Sequence, residues 1–144
     1  MSAEKKKMSI EWKGNFRFEA INPDGLTVNF DAPKRYGGEA TAPSPMETLL
    51  ACLAGCTSYD VVSILKKKRQ RLESLEVICS GERAADPPQV WKKLEVVYRL
   101  RGALDESAVK RAIELSEEKY CSVSAMLQKT ATLTWRHEVL PPTD

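Results

Sequence analysis

Hydrophobic residues in the first third of the chain recur at every second position. Met8, Ile10 and Trp12 share one face of a predicted strand. Phe16, Phe18 and Ala20 share a face of a second, with Arg17 and Glu19 opposite, and Leu26, Val28 and Phe30 form a third. Asn22-Pro23-Asp24-Gly25 supplies turn residues at each position between the second and third. The pattern predicts a three-stranded antiparallel meander, followed by a Gly-, Ala- and Pro-rich loop over 33–43.

The period then changes to that of a helix. Ser44-Pro45-Met46-Glu47 reads as a helix start, with Ser as N-cap, Pro at the first helical position and Glu placed to close a capping box. The helix predicted over 44–69 ends in Lys66, Lys67, Lys68 and Arg69, cations at the end of the dipole that favours them. It is about 39 Å long, against a radius of gyration of roughly 14–15 Å for a domain of this size. Its first half is apolar on every side, which predicts burial all round. One small domain can hardly wrap such a helix; two copies could.

The second half repeats the theme. Leu75, Val77 and Cys79 alternate in one strand, and Leu94, Val96, Tyr98 and Leu100 in another, with a Pro87-Pro88 loop between. Asp105 caps a helix that places Val109, Ala112, Ile113 and Ser116 along one side. Tyr120-Cys121 ends or interrupts it, a short helical stretch over 122–129 follows, and Leu133, Trp135, His137 and Val139 share a face of the last strand. The order βββ-α-ββ-α-α-β predicts an α+β fold with antiparallel sheets around the long central helix. The expected organisation is a single domain over 1–144, with 1–7 a flexible N-terminus.

Composition narrows the functional classes. The chain has 144 residues, 42% of them hydrophobic and 29% charged, too apolar for a disordered chain. Lys+Arg 22 against Asp+Glu 20 leaves a net charge of +2, so no strong field points to nucleic acid. The lysines near the N-terminus precede no apolar signal core, and the run 46–56 is about half of what crosses a bilayer. The expectation is a soluble cytoplasmic protein without nucleic-acid or membrane partners. Its four cysteines are then packing, metal-binding or redox residues rather than structural disulfides.

The cysteines differ in setting. Cys79, on the alternating face of a strand, reads as a small core residue. Cys52 and Cys56 lie on adjacent turns of one helix face, but a metal needs two further ligands and His137 is the only histidine, so no metal or cofactor is expected. Cys121 lies between helical stretches near Lys119, Ser122 and Ser124. A helix starting at Ser122 would turn its first amides toward a thiolate there. Periodicity alone leaves Cys121 equally a boundary residue and a reactive one.

The segment Pro43-Ser44-Pro45-Met46-Glu47-Thr48-Leu49-Leu50-Ala51-Cys52-Leu53-Ala54-Gly55-Cys56-Thr57 resembles the first cysteine motif of the OsmC/Ohr family, the osmotically induced and organic hydroperoxide resistance proteins. Ser58 to Lys68 looks like the OsmC-like branch, and Glu118-Lys119-Tyr120-Cys121-Ser122-Val123-Ser124 is similar to the second motif. The resemblance covers essentially 8–140. It implies an intertwined homodimer and a thiol-dependent peroxidase: Cys56 attacks the peroxide and becomes a sulfenic acid, Cys121 resolves it as a disulfide, and a dithiol or small thiol reduces that disulfide.

The resemblance also implies a Glu directly after the motif's Pro, paired with an Arg that holds the reactive thiolate. Here Met46 stands at that position and Glu47 one residue later, so Glu47 is both a candidate partner and the capping-box residue of Ser44. Arg17 and Arg35 are the candidate arginines, although Arg17 also suits the solvated face of a strand. Without a cation, an apolar site would slow attack. Leu49, Leu53 and Met126 would give an apolar lining suited to organic hydroperoxides. The alternatives are a non-enzymatic thiol redox switch or small-ligand-binding dimer of the same fold, and a protein whose cysteines only pack its core.

Overall fold

The computed structural model describes residues 4–143, which fall into two compact units, one through Leu49 and one from Leu50 onward. The first unit holds β1 (Ser9–Trp12), β2 (Phe18–Ile21) and β3 (Thr27–Phe30), an antiparallel meander in the order β1-β2-β3. Ile10, Ala20 and Val28 stand in register across it, the predicted alternation. The β2–β3 turn is closed by Asn22, whose Oδ1 accepts from the amides of Asp24 at 3.0 Å and Leu26 at 2.9 Å.

Beyond β3 the chain would have several unpaired amides, and one carboxylate gathers them. Asp31, only 2% exposed, accepts from the amides of Ala32 (2.7 Å), Glu39 (3.4 Å) and Thr41 (3.0 Å) and from the Thr41 hydroxyl (2.6 Å). The 3-10 turn Lys34–Tyr36 lies inside this loop. The Thr41 hydroxyl and amide, then the other two amides, hold the Asp31 carboxyl down to about 2.

Helix α1 spans Pro45–Lys67. Its start is the predicted capping box: the Ser44 amide donates to Glu47 Oε1 at 3.1 Å, and the Glu47 amide donates to Ser44 Oγ at 3.2 Å. The helix stops where Arg69 turns left-handed at φ 57° and Gln70 donates back to the Leu65 carbonyl. Along this chain α1 buries one stripe, Leu53, Thr57, Val61 and Leu65. Cys52, Gly55, Tyr59, Val62 and Ser63 are exposed, so the expected burial on all sides is not met within one chain. By length and composition α1 could span a bilayer, more than its 46–56 run suggested, but the same stripe is packed into protein core.

In the second unit, β4 (Arg71–Arg83) and β5 (Trp91–Ala103) form a long antiparallel hairpin. A register shift between Leu72 and Ser74 faces Gly102, where φ is 148° and a Cβ would lie 2.1 Å from the Arg71 carbonyl oxygen. Then come α2 (Glu106–Leu115), a π-helical turn (Ser116–Tyr120), α3 (Ser122–Leu127) and β6 (Thr132–Leu140). β6 pairs with β5 in parallel, giving the order β4-β5-β6. This corrects the all-antiparallel expectation. The helical crossover from β5 to β6 is long enough to return the chain to the same end of the sheet, which a tight turn cannot do.

The core of this unit is made by the predicted faces. Leu94, Val96, Tyr98 and Leu100 of β5 meet Val109, Ala112 and Ile113 of α2 and the α1 stripe. All but Leu94, at 2%, are fully buried, and each large aliphatic side chain contributes about 1.5–3 kcal/mol.

The Asp31 cradle yields a pH test. Its folded pKa lies below the free-carboxyl value of about 3.9, so its stabilisation is complete above that value and lost as pH falls toward about 2. Asp31→Asn should melt at a lower temperature at pH 6, and the gap to the native chain should close between pH 5 and pH 2. A gap that stays constant over that range would contradict the cradle.

Candidate active site

The two motif cysteines, 121 − 56 = 65 positions apart, come together in the second unit. Cys56 is on α1, half-buried against the core, and Cys121 follows the π-helical turn with 3% of its surface exposed. Cys56 packs against the buried cluster that contains Cys121, and its thiol is one of the groups acting on Cys121. The π turn sets the position of Cys121: its amide donates to the Ser116 carbonyl at 2.8 Å, five residues back, so one extra residue is fitted into the turn. Cys121 then caps α3, its Sγ accepting from the Ser124 amide at 3.4 Å.

That amide was expected to favour a thiolate, and it does pull in that direction. Burial outweighs it, and with the neighbouring Cys56 thiol pushes the Cys121 thiol well up from its usual range. Cys121 is therefore held as a thiol. Cys79, on β4, is likewise raised to about 11, chiefly by burial. Cys52 is exposed one turn before Cys56.

Around the pair runs a chain of polar side chains with no counterpart in the periodicity argument. Asp60 Oδ2 lies 2.9 Å from Ser116 Oγ, Ser116 Oγ 2.7 Å from Thr57 Oγ1, Thr57 Oγ1 2.7 Å from Tyr98 Oη, and Tyr98 Oη 2.5 Å from Glu117 Oε1. Ser124 Oγ donates to Glu117 Oε2 at 3.0 Å, and Gln128 Nε2 donates to Ser124 Oγ at 2.7 Å. Thr57, Tyr98, Ser116 and Ser124 are fully buried, and Glu117 is 8% exposed. Burial first, then the adjoining Glu117 carboxyl, raises the Tyr98 phenol far above its ordinary value. The chain ties α1 to β5, to the π turn and to α3, the elements that carry the two cysteines.

One signal for this chain was present in the sequence. Ser116 completes the apolar stripe of α2, and a hydroxyl at a core position needs a partner. Thr57 follows Cys56 directly, on the α1 stripe. Glu117 gave no signal, because only the π turn swings two consecutive residues, Ser116 and Glu117, both inward.

The remaining candidates lie as follows. Glu47 is engaged in the Ser44 capping box. Arg17 pairs with Glu39 at 3.2 Å and donates to the Lys13 carbonyl at 3.0 Å. Arg35 lies over the Tyr36 ring, 4.9 Å from its centroid. These three belong to the first unit. Leu49 is half-buried, Leu53 is fully enclosed in the core, and Met126 is 65% exposed on α3. No group of three or more His, Cys, Asp or Glu suited to a metal occurs among the described residues.

Among the described residues six strands and three helices form an α+β fold, with Cys56 on the long helix and Cys121 after the π turn packed in one buried cluster. The sequence profile described as OsmC-like protein matches residues 37–136, and the chain belongs to that family. It is 43% identical over 132 residues to Protein YhfA of Escherichia coli K12, covering 91% of this chain and 96% of that one. A crystal structure of a hypothetical protein from Aquifex aeolicus is 31% identical, with TM-score 0.86 over 98% of this chain and 100% of that one. An organic hydroperoxide resistance protein from Legionella pneumophila shares the fold at 16% identity, with TM-score 0.66 over 99% of this chain and 100% of that one.

Thr57 is the joint of the polar chain. Thr57→Val keeps the shape and leaves the Tyr98 and Ser116 hydroxyls each short of a partner, at a cost of about 2 kcal/mol. Urea unfolding should show the lower midpoint with an unchanged slope, and an unshifted midpoint would remove Thr57 from the network.

Proposed function

We propose that the protein is a thiol-dependent peroxidase that reduces organic hydroperoxides through Cys56 and Cys121. The observation that carries this reading is that Cys56 packs against the buried cluster holding Cys121, close enough for its thiol to act on that of Cys121. The thiolate of Cys56 attacks the terminal oxygen of the hydroperoxide, the O–O bond breaks, and the alkoxide leaves to become the alcohol on taking up a proton. Cys56 is then a sulfenic acid. Cys121 attacks its sulfur, the S–S bond forms as the S–O bond breaks, and the Cys121 proton leaves with the hydroxyl as water. A dithiol or small thiol returns the disulfide to two thiols.

The same reading makes Arg17 or Arg35 the cation that holds the Cys56 thiolate and Leu49, Leu53 and Met126 the apolar lining for the organic group. It makes the working form an intertwined homodimer in which the chain acts as one domain. What supports the dimer is apolar surface that one chain leaves uncovered. Tyr59 is 81% exposed and Val62 43% exposed on α1, and in the first unit Trp12 and Leu26 are each 67% exposed. Four free cysteines suit a reducing compartment, the cytoplasm.

One observation favours a slower thiol switch instead. Glu47, the candidate partner for the activating arginine, is occupied in the helix cap. Turnover with a dithiol separates the two readings.

Two outcomes are expected. One equivalent of cumene hydroperoxide should consume two thiols in the native chain, and in Cys121→Ser a sulfenic acid should be trapped at Cys56. Equal, slow loss at all four cysteines would remove the peroxidase reading. Sedimentation should report twice 16.1 kDa, and a stable monomer would contradict the dimer.

A further inference from the structure

Counting protons along the buried polar chain gives a result that the cysteine chemistry does not contain. Asp60, Ser116, Thr57, Tyr98 and Glu117 are joined by four oxygen–oxygen contacts of 2.9, 2.7, 2.7 and 2.5 Å. Each such contact is a hydrogen bond only if a proton lies in it; without one, two lone-pair oxygens face each other. The three hydroxyls own one proton each, three in all. Four bonds need four. The fourth proton must belong to a carboxyl at one end.

Both placements close the chain in a single direction. With the proton on Glu117, the acid donates to Tyr98, Tyr98 to Thr57, Thr57 to Ser116 and Ser116 to the Asp60 carboxylate. With the proton on Asp60, every bond reverses and Tyr98 donates to the Glu117 carboxylate. The two states interconvert by shifting each proton across its own bond, so a proton leaves one end as another arrives at the far end. Each end reaches a surface cleft. Glu117 lines one of about 520 Å3 with Gln128 and Trp135, and Asp60 lines another of about 440 Å3 with Lys67 and Lys68.

The surroundings match this account. Around Glu117 stand Cys121 on its own segment, Tyr98 on β5 and Cys79 on β4, with Glu118 and Lys129 at the cleft. Among the described residues no cation pairs with its carboxyl, whose partners are the Tyr98 and Ser124 hydroxyls. A carboxylate there would be a buried charge without a counter-ion, which a proton relieves. Asp60, partly exposed with two lysines on its cleft, can hold the charge while Glu117 holds the proton.

Resting on the peroxidase reading, we propose that this chain is a proton relay holding one proton more than its hydroxyls own, and that Glu117, at its inner end, is a positioning residue for the resolving cysteine. Ser124 links the two: its hydroxyl donates to Glu117, and its amide donates to Cys121 Sγ. With the proton on Glu117, Cys121 faces a neutral acid and is free to ionise for its attack on the Cys56 sulfenic acid. With the proton on Asp60, a carboxylate beside Cys121 keeps it a thiol and the sulfenic acid persists. The relay proton is conserved throughout; the proton lost by Cys121 leaves in the water formed.

Glu117→Gln and Asp60→Asn each freeze one state, because the amide donates where the acid did and needs no titrating proton. Infrared difference spectra of each variant against the native chain at pH 7 should show the C=O stretch of one protonated carboxylic acid in the native chain, absent from both variants. Thr57→Val, which leaves two contacts for two hydroxyl protons and keeps both hydrogen bonds to Glu117, should lose the stretch as well, and serves if an amide variant does not fold. In single turnovers with cumene hydroperoxide, Glu117→Gln should keep the native Cys56 sulfenic acid lifetime and Asp60→Asn should lengthen it roughly threefold, a tenfold loss of thiolate offset by nucleophilicity. A native chain without the stretch, a stretch that survives in any variant, or an Asp60→Asn lifetime no longer than the native one would overturn the relay. No hydroperoxide enters the infrared measurement, so a failure of Cys56 to react would sink the peroxidase reading alone.

Discussion

The rest of the second unit depends on Thr57 Oγ1, the point where the polar chains of α1, β5 and the π turn meet, 2.7 Å from both Tyr98 Oη and Ser116 Oγ. A hydroxyl in an apolar core is costly unless paired, and paired it has few geometries open to it. That constraint fixes the rotation of α1 against the sheet. Cys56, the preceding residue, is therefore set at the core edge, while Ser116 brings the π turn to a register that delivers Cys121 opposite it. The cysteines meet because the hydroxyls beside them must be satisfied.

The two sulfurs meet in unequal settings. Cys121 is enclosed and its thiol is pushed up by burial and by its neighbour, which outweighs the downward pull of the Ser124 amide at the start of α3. Cys56 sits on a half-buried position of a helix whose outer faces are open along this chain. An attacking thiolate and a reserve thiol need such a difference, since two thiolates in contact repel.

The α+β order, the capping box at Ser44, the Asp105 cap and the buried faces of β5 and α2 were legible in the sequence, because each follows from a local period or a local hydrogen bond. Three features were not. The parallel placing of β6 is a matter of long-range topology, and alternation in Leu133, Trp135, His137 and Val139 is the same in either direction. The π turn has no composition of its own; it was visible only as an interruption near Tyr120-Cys121. Glu117 could be recognised as a core residue only once that turn had rotated it inward. Of the candidate site, the cysteine pair was read from its motifs, whereas Glu47, Arg17 and Arg35 show partners within their own unit.

The central claim is that folding brings the sulfurs of residues 56 and 121 within bonding distance. Mild oxidation of the folded, reduced protein with diamide, followed by mass-spectrometric mapping of its disulfides, tests that most directly. The account predicts one dominant intrachain bridge, Cys56 to Cys121, with Cys52 and Cys79 left free. A dominant bridge through Cys52 or Cys79, or none at all, would contradict it.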